Sequence, residues 1–169
     1  MQRRTWLKLG IGSTVVLALA GGGLALMAPG LDKQGRLSDT GKLVISAVAR
    51  AVLQGTLPTD ASLHAKAMQG LMERISLLTN NLPPHAQDEL SQLLSLLASG
   101  AGRWGLAGLG KNWEQASVAE IQNALQSMRV SSLGLKRQAY QGLHDIVGAA
   151  YFSDASTWAQ IGYSGPLKI

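Results

Sequence analysis

The glycine-rich middle of the chain holds the first residues whose types and spacing could do chemistry. Gly100-Ala-Gly102-Arg-Trp-Gly105 fits G-x-G-x-x-G, and Glu120 follows where a dinucleotide fold carries its ribose-binding acid. Those glycines work only if they leave a strand and open a helix, so that a pyrophosphate meets the helix N-terminus. Here they follow Leu90, Leu93, Leu94 and Leu97 at helical spacing, and Gly105, Gly108 and Gly110 dilute what comes next. Gly105 to Gly110-Lys111 approaches a phosphate-cradling loop, but Asn112 stands where a hydroxyl should hold magnesium. The histidines His64, His85 and His144 are too far apart for a local metal pattern. His144-Asp145 is an adjacent pair of ligating types that would need further ligands from other helices. With no cysteine, the chain has no disulfide, thiolate zinc site, iron–sulfur cluster or covalent haem of its own. A G-x-S-x-G elbow is also missing. The expectation is a chain with no catalytic residue, no metal ligand and no cofactor.

Charge is unevenly spread. Of the net +5, Arg3, Arg4 and Lys8 account for three, which leaves the remainder near +2 with only one adjacent basic pair, Lys136-Arg137. No basic stripe runs along the body, so nucleic acid is not the expected partner. A charged fraction of 15% is well below the usual quarter and argues for a packed domain.

No charged residue occurs between Leu9 and Leu31. A basic start followed by an apolar run diluted with Gly, Ser and Thr is the layout of an export leader, and Ala18-Leu19-Ala20 offers a cleavage site. Arg3-Arg4-Thr5-Trp6-Leu7-Lys8 resembles the twin-arginine export motif, with Trp6 where that motif has Phe. Left uncut, the run is long enough to anchor the chain in the inner membrane. The resemblance implies the twin-arginine translocase as a partner and delivery to the periplasm as a folded protein.

The elements beyond the leader are read from apolar period and stop signals. Residues 1–31 are taken as leader or anchor, 32–41 as a polar linker, and 42–169 as a single helical domain. Leu43, Val44, Ala47, Val48, Ala51 and Val52 predict a helix over 42–54. Asp60 opens a second over 61–80, on Leu63, Ala67, Leu71, Ile75 and Leu78. A third runs over 84–98 from a helix-starting proline. Residues 99–112 read as a Gly-rich connector carrying Trp104, with Trp113 just beyond. Ser117 and Glu120 form a capping box for a fourth helix over 118–129. A fifth spans 133–152 on Leu135, Ala139, Leu143, Ile146, Val147 and Ala150, and Asp154 caps a last short helix closed by Gly162. The expected fold is a small all-α bundle of about five helices with an aromatic C-terminal tail.

That tail is the most informative stretch of the body. Tyr151, Phe152, Trp158 and Tyr163 put four of the eight aromatic residues within thirteen positions. Large apolar rings with a polar edge suit a partner interface as well as they suit core closure. The expected interface comprises Trp104, Trp113, Tyr151, Phe152, Trp158, Ile161, Tyr163 and Pro166. Tyr151-Phe152, Ser153-Asp154, Trp158 and Ile161-Gly162-Tyr163-Ser164-Gly165-Pro166 resemble the C-terminal pattern of the gluconate 2-dehydrogenase subunit 3 family, the small subunits of periplasmic flavin-dependent dehydrogenases. The likeness covers about 145–166 and the leader, and Ser164 departs from it where the family commonly has Pro.

The resemblance implies a non-catalytic subunit. Its partner would be a large FAD-dependent dehydrogenase of the glucose–methanol–choline class, in some complexes joined by a multihaem cytochrome c. The small subunit carries the export signal for the flavoprotein and helps it mature. An alternative of another class is a membrane-anchored helical module binding a lipid or quinone, with Met68, Met72 and Met128 lining its pocket.

Overall fold

The computed structural model describes residues 27–165, without the side chains of Gln160 and Ile161. The leader residues Arg3, Arg4, Trp6, Leu7 and Lys8, and Pro166 in the tail, lie outside the described residues. The fold is the expected small all-α bundle. Helix α1 spans Asp39–Val52, α2 Ala61–Asn80, α3 Pro84–Ala98, α4 Val118–Arg129 and α5 Gly134–Phe152.

Helix α1 is the axis. It packs against α3, α4 and α5, and it buries Val44, Ile45, Ala47, Val48, Ala49 and Ala51, well over half its circumference. The alanines let neighbouring backbones come close without leaving gaps, as dense packing requires. Helix α2 is peripheral. It rests mainly on α5 and buries only Leu71, Ile75 and Thr79, all in its second half. Helices α4 and α5 pack on each other and on α1 through Ile121, Leu125 and Met128 on one side and Leu143, Ile146 and Val147 on the other.

Local chemistry fixes the helix starts. Asp60 accepts hydrogen bonds from the Ser62 and Leu63 amides at the start of α2. In the capping box of α4, the Glu120 amide donates to Ser117 Oγ while the Ser117 amide donates back to Glu120. Helix α1 begins at Asp39 rather than 42, because Ser38 accepts from the Gly41 amide at 3.1 Å.

The segment expected as a linker, 32–41, belongs to the core. Leu31 and Leu37 pair across an isolated antiparallel bridge and are both buried. Asp32 organises the turn between them by accepting from the Gln34 and Arg36 amides, and these bonds, that of Arg36 foremost, hold its carboxyl below the usual value. The Leu31 amide donates to Ser91 Oγ of α3 at 3.1 Å. Gly30 and Gly41 meet backbone to backbone here. A Cβ on Gly41 would strike the Gly30 carbonyl, and one on Gly30 would strike Leu94. Its polar residues mark a turn that sends two leucines inward.

The connector 99–112 is also more regular than expected. Gly100–Gly102 forms a helical turn that Ser99 caps by accepting from the Gly102 amide, and Arg103–Ala107 continues it as a wider π turn. The turn ends at Gly108, which is left-handed at φ 68°. Across it, Ala107 faces the core while Trp104 is 71% exposed.

Trp113 is fully buried, and its indole N–H donates to the Leu97 carbonyl at 2.7 Å. That carbonyl is one of the four at the end of α3 that no helical amide reaches. Trp113 is therefore the core plug that caps α3 and offers no ring to a partner, correcting its place in the expected interface. Trp113→Phe should cost about 1–3 kcal/mol by leaving the Leu97 carbonyl unpaired in the core. Trp113→Ala should cost about 3–5 kcal/mol. Denaturant unfolding followed by circular dichroism would measure both.

Candidate partner interface

Every helix ends with carbonyls that need donors, and the aromatic tail supplies them for α5. The Ser153 amide donates to the Ala149 carbonyl at 3.0 Å. Arg74 Nε, from α2, donates to the Ala150 carbonyl at 2.9 Å. The Tyr151 carbonyl receives the Asp154 amide at 3.3 Å and the Thr157 hydroxyl at 3.3 Å. The Phe152 carbonyl receives the Trp158 indole N–H at 2.7 Å. Residues 153–158 thus cap the helix that precedes them.

Asp154 is the hinge of this arrangement. It accepts from the Ser156 amide at 3.0 Å and the Ser156 hydroxyl at 2.7 Å, opening the 3-10 turn Ala155–Ile161. Arg74 Nη1 sits 3.3 Å from its other oxygen. The Ser156 hydroxyl, the Ser156 amide and the Arg74 charge together hold the Asp154 carboxyl below its usual value. Gly162, left-handed at φ 71°, reverses the chain, so that the Tyr163 amide donates to the Trp158 carbonyl at 3.1 Å.

The fold divides the expected interface residues. Tyr151 is buried, and its hydroxyl donates to the Thr56 carbonyl at 3.1 Å, so it closes the core. This corrects its expected interface role, as for Trp113. Phe152 is 36% exposed and stands edge-on to Tyr151 at 5.2 Å between ring centres. Tyr163 is 47% exposed and stands edge-on to the half-buried Trp158 at 5.3 Å. Phe152, Trp158 and Tyr163 therefore form one group, linked by the Trp158–Tyr163 ring contact and by the indole N–H bond of Trp158 to the Phe152 carbonyl. No ring contact joins Trp104 to it among the described residues. The backbone of Ile161 ends the 3-10 turn, and its side chain lies outside the description, as does Pro166.

Arg74 was not legible as part of this site. It lies 76 residues before the carbonyl it caps, and no local pattern marks a tertiary cap.

The residues that resembled chemistry do other work. Helix α3, not a strand, leads into Gly100–Gly105, and Ser99 Oγ accepts from the Gly102 amide. Lys111 does not face a phosphate but pairs with Glu120 at 2.8 Å. That contact first, then the Ser117 amide and hydroxyl, lowers the Glu120 carboxyl to about 2. Residues Gly108–Lys111 and the α4 residues Asn123 and Ser127 border an open surface depression of about 440 Å³. His144 is exposed, stacks on Tyr140 at 5.5 Å and lies 3.4 Å from Asp145. No group of three His, Cys, Asp or Glu residues is placed to hold a metal among the described residues. Met128 is inside the core, and Met68 and Met72 pack on its edge. None of the three lines the depression beside Gly108–Lys111 or the one along α1.

Replacing Arg74 with Met should free the tail without unfolding the bundle. Amide exchange over 153–163 should quicken by about tenfold, the equivalent of one charge-assisted hydrogen bond at the weak end of its range, while α1 amides keep their protection. The Glu120 contacts stabilise the fold only when the carboxyl is ionised. Because its folded value is depressed, that stability is present above the ordinary 4.5 and is lost as pH falls toward about 2. The melting temperature should fall more steeply over that window in the wild type than in Glu120→Gln.

No family model matches this chain, and no curated protein or solved structure does either.

Proposed function

We propose that this chain is a non-catalytic small subunit that escorts a large FAD-dependent dehydrogenase of the glucose–methanol–choline class through twin-arginine export and stabilises it in the periplasm. The observation that carries the reading is the tail. Phe152 and Tyr163 are exposed on either side of the half-buried Trp158, on a backbone held by Asp154, Arg74 and the α5 carbonyls. A preformed aromatic surface binds tightly because little side-chain freedom is lost on docking. The leader resemblance at Arg3-Arg4-Thr5-Trp6-Leu7-Lys8 supports the export half of the reading. The tail's likeness to gluconate 2-dehydrogenase subunit 3 supports the choice of a flavoprotein, with FAD in that partner and haem c in a third subunit where a cytochrome is present.

In this reading the chain contributes no reacting group. It supplies a translocation signal and a docking surface. Purification of the tagged chain with its leader intact, from native membranes and periplasm in mild detergent, should yield a large companion chain with flavin absorbance. A lone, colourless chain overturns the reading. Replacing both Arg3 and Arg4 with Lys should leave the flavoprotein in the cytoplasm. Phe152→Ala with Tyr163→Ala should weaken the complex by about thirtyfold or more, the loss typical of an interface hot spot, with the melting temperature of the free chain little changed.

A further inference from the structure

The corner between α4 and α5 carries a second surface, of different character from the tail. Val130 is 66% exposed and Leu133 is 60% exposed, three residues apart in a short connection. Arg129 precedes them, and Lys136 and Arg137 follow. No Asp or Glu occurs between Glu120 and Asp145. Among the described residues none of these three cations takes part in a salt bridge.

The connection is held in one shape. Arg137 Nη1 donates to the Ser131 carbonyl at 2.6 Å and to the Ser132 carbonyl at 2.9 Å. The Leu133 amide donates to Ser131 Oγ at 3.2 Å. The guanidinium thereby clasps the connection, and its charge is held at the Ser131 and Ser132 carbonyls. Arg129 Nε donates to Gln126 Oε1 at 3.0 Å, one turn back along α4.

We propose that this corner is a peripheral contact for an anionic phospholipid surface. Charge complementarity identifies the occupant. Three cations that make no salt bridge among the described residues flank, along the chain, two aliphatic side chains that are mostly exposed. A phosphate-rich interface satisfies the cations, and the acyl boundary beneath it takes the aliphatic pair. A nucleic acid would satisfy the cations but leave Val130 and Leu133 in water. No described helix is long and apolar enough to cross a membrane. Each cation near such a surface is worth roughly fivefold in binding.

The absence of cysteine gives a direct test on the full chain. Val130→Cys, labelled with an environment-sensitive dye, reports immersion at the corner, and Gln115→Cys reports from the other end of α4, about 20 Å away along the helix. On vesicles of phosphatidylglycerol and phosphatidylcholine the dye at 130 should shift to the blue and the dye at 115 should not. The shift should be small on phosphatidylcholine alone and should be lost in about 1 M salt, where screening reaches within a few ångströms. Arg129→Gln with Lys136→Gln should weaken binding to the anionic vesicles by about twenty-five-fold, two cations' worth, with the melting temperature preserved. A dye at 130 that stays in water while the leader holds the chain on the vesicles overturns the proposal. So does an equal response on both lipids, an unchanged double variant, or a shift that appears only when a protein partner is added.

Discussion

Helix α1 must be hidden from water on most of its circumference, and this constraint orders the rest of the bundle. A stripe of apolar residues needs one neighbour, but a helix buried at Val44, Ile45, Ala47, Val48, Ala49 and Ala51 needs several. Helices α3, α4 and α5 supply three of them. The turn around Leu31 and Leu37 covers the N-terminal end, where Gly30 and Gly41 let two backbones touch. At the C-terminal edge of α1, Arg50 donates to the Trp113 carbonyl at 3.2 Å and Gln122 donates to the Ala51 carbonyl at 3.1 Å. Trp113 is buried at the end of α3, where its indole N–H meets the Leu97 carbonyl.

The same economy of donors explains the tail. Helix α5 is the second longest in the described structure and ends near the surface, so its last carbonyls would otherwise be left to water. Thr157 and the Trp158 indole satisfy two of them, Arg74 of α2 a third, and the Ser153 amide a fourth. Once its indole N–H is spent on Phe152, Trp158 has only ring surface left to offer. An aromatic group in that state contributes area without demanding a polar partner across an interface. The sequence concentrates rings here, and the hydrogen bonds determine which faces remain available.

How much was legible follows the range of the interactions. Helix starts at Asp60, Pro84 and Ser117 could be read directly, because a cap acts over two or three residues and leaves its own residue types behind. The apolar periods of α4 and α5 were legible for the same reason. Features set by distant partners were not. Trp113 and the carbonyl it caps are 16 residues apart, and Tyr151 meets a carbonyl 95 residues away. Both rings read as surface anchors until their polar ends were located inside the fold. Residues 32–41 read as a linker because the exposed ones are polar, although the turn buries Leu37 together with Leu31 before it. The π turn left no trace, since nothing in Arg-Trp-Gly-Leu-Ala distinguishes it from a loop.

The capping of α5 by residues that follow it bears on how the chain is made. During synthesis the core-facing residues of α5 emerge before Thr157, Trp158 and Tyr163. Until those arrive, the last turn of the helix has carbonyls without donors, and Tyr151 lies at an end free to fray. The ordered end of the bundle is therefore among the last parts to form, and it forms only in a chain translated through this stretch. A product released early by a ribosome would keep its helical core but carry an open, fraying terminus, the kind of segment at which proteolytic nicking concentrates.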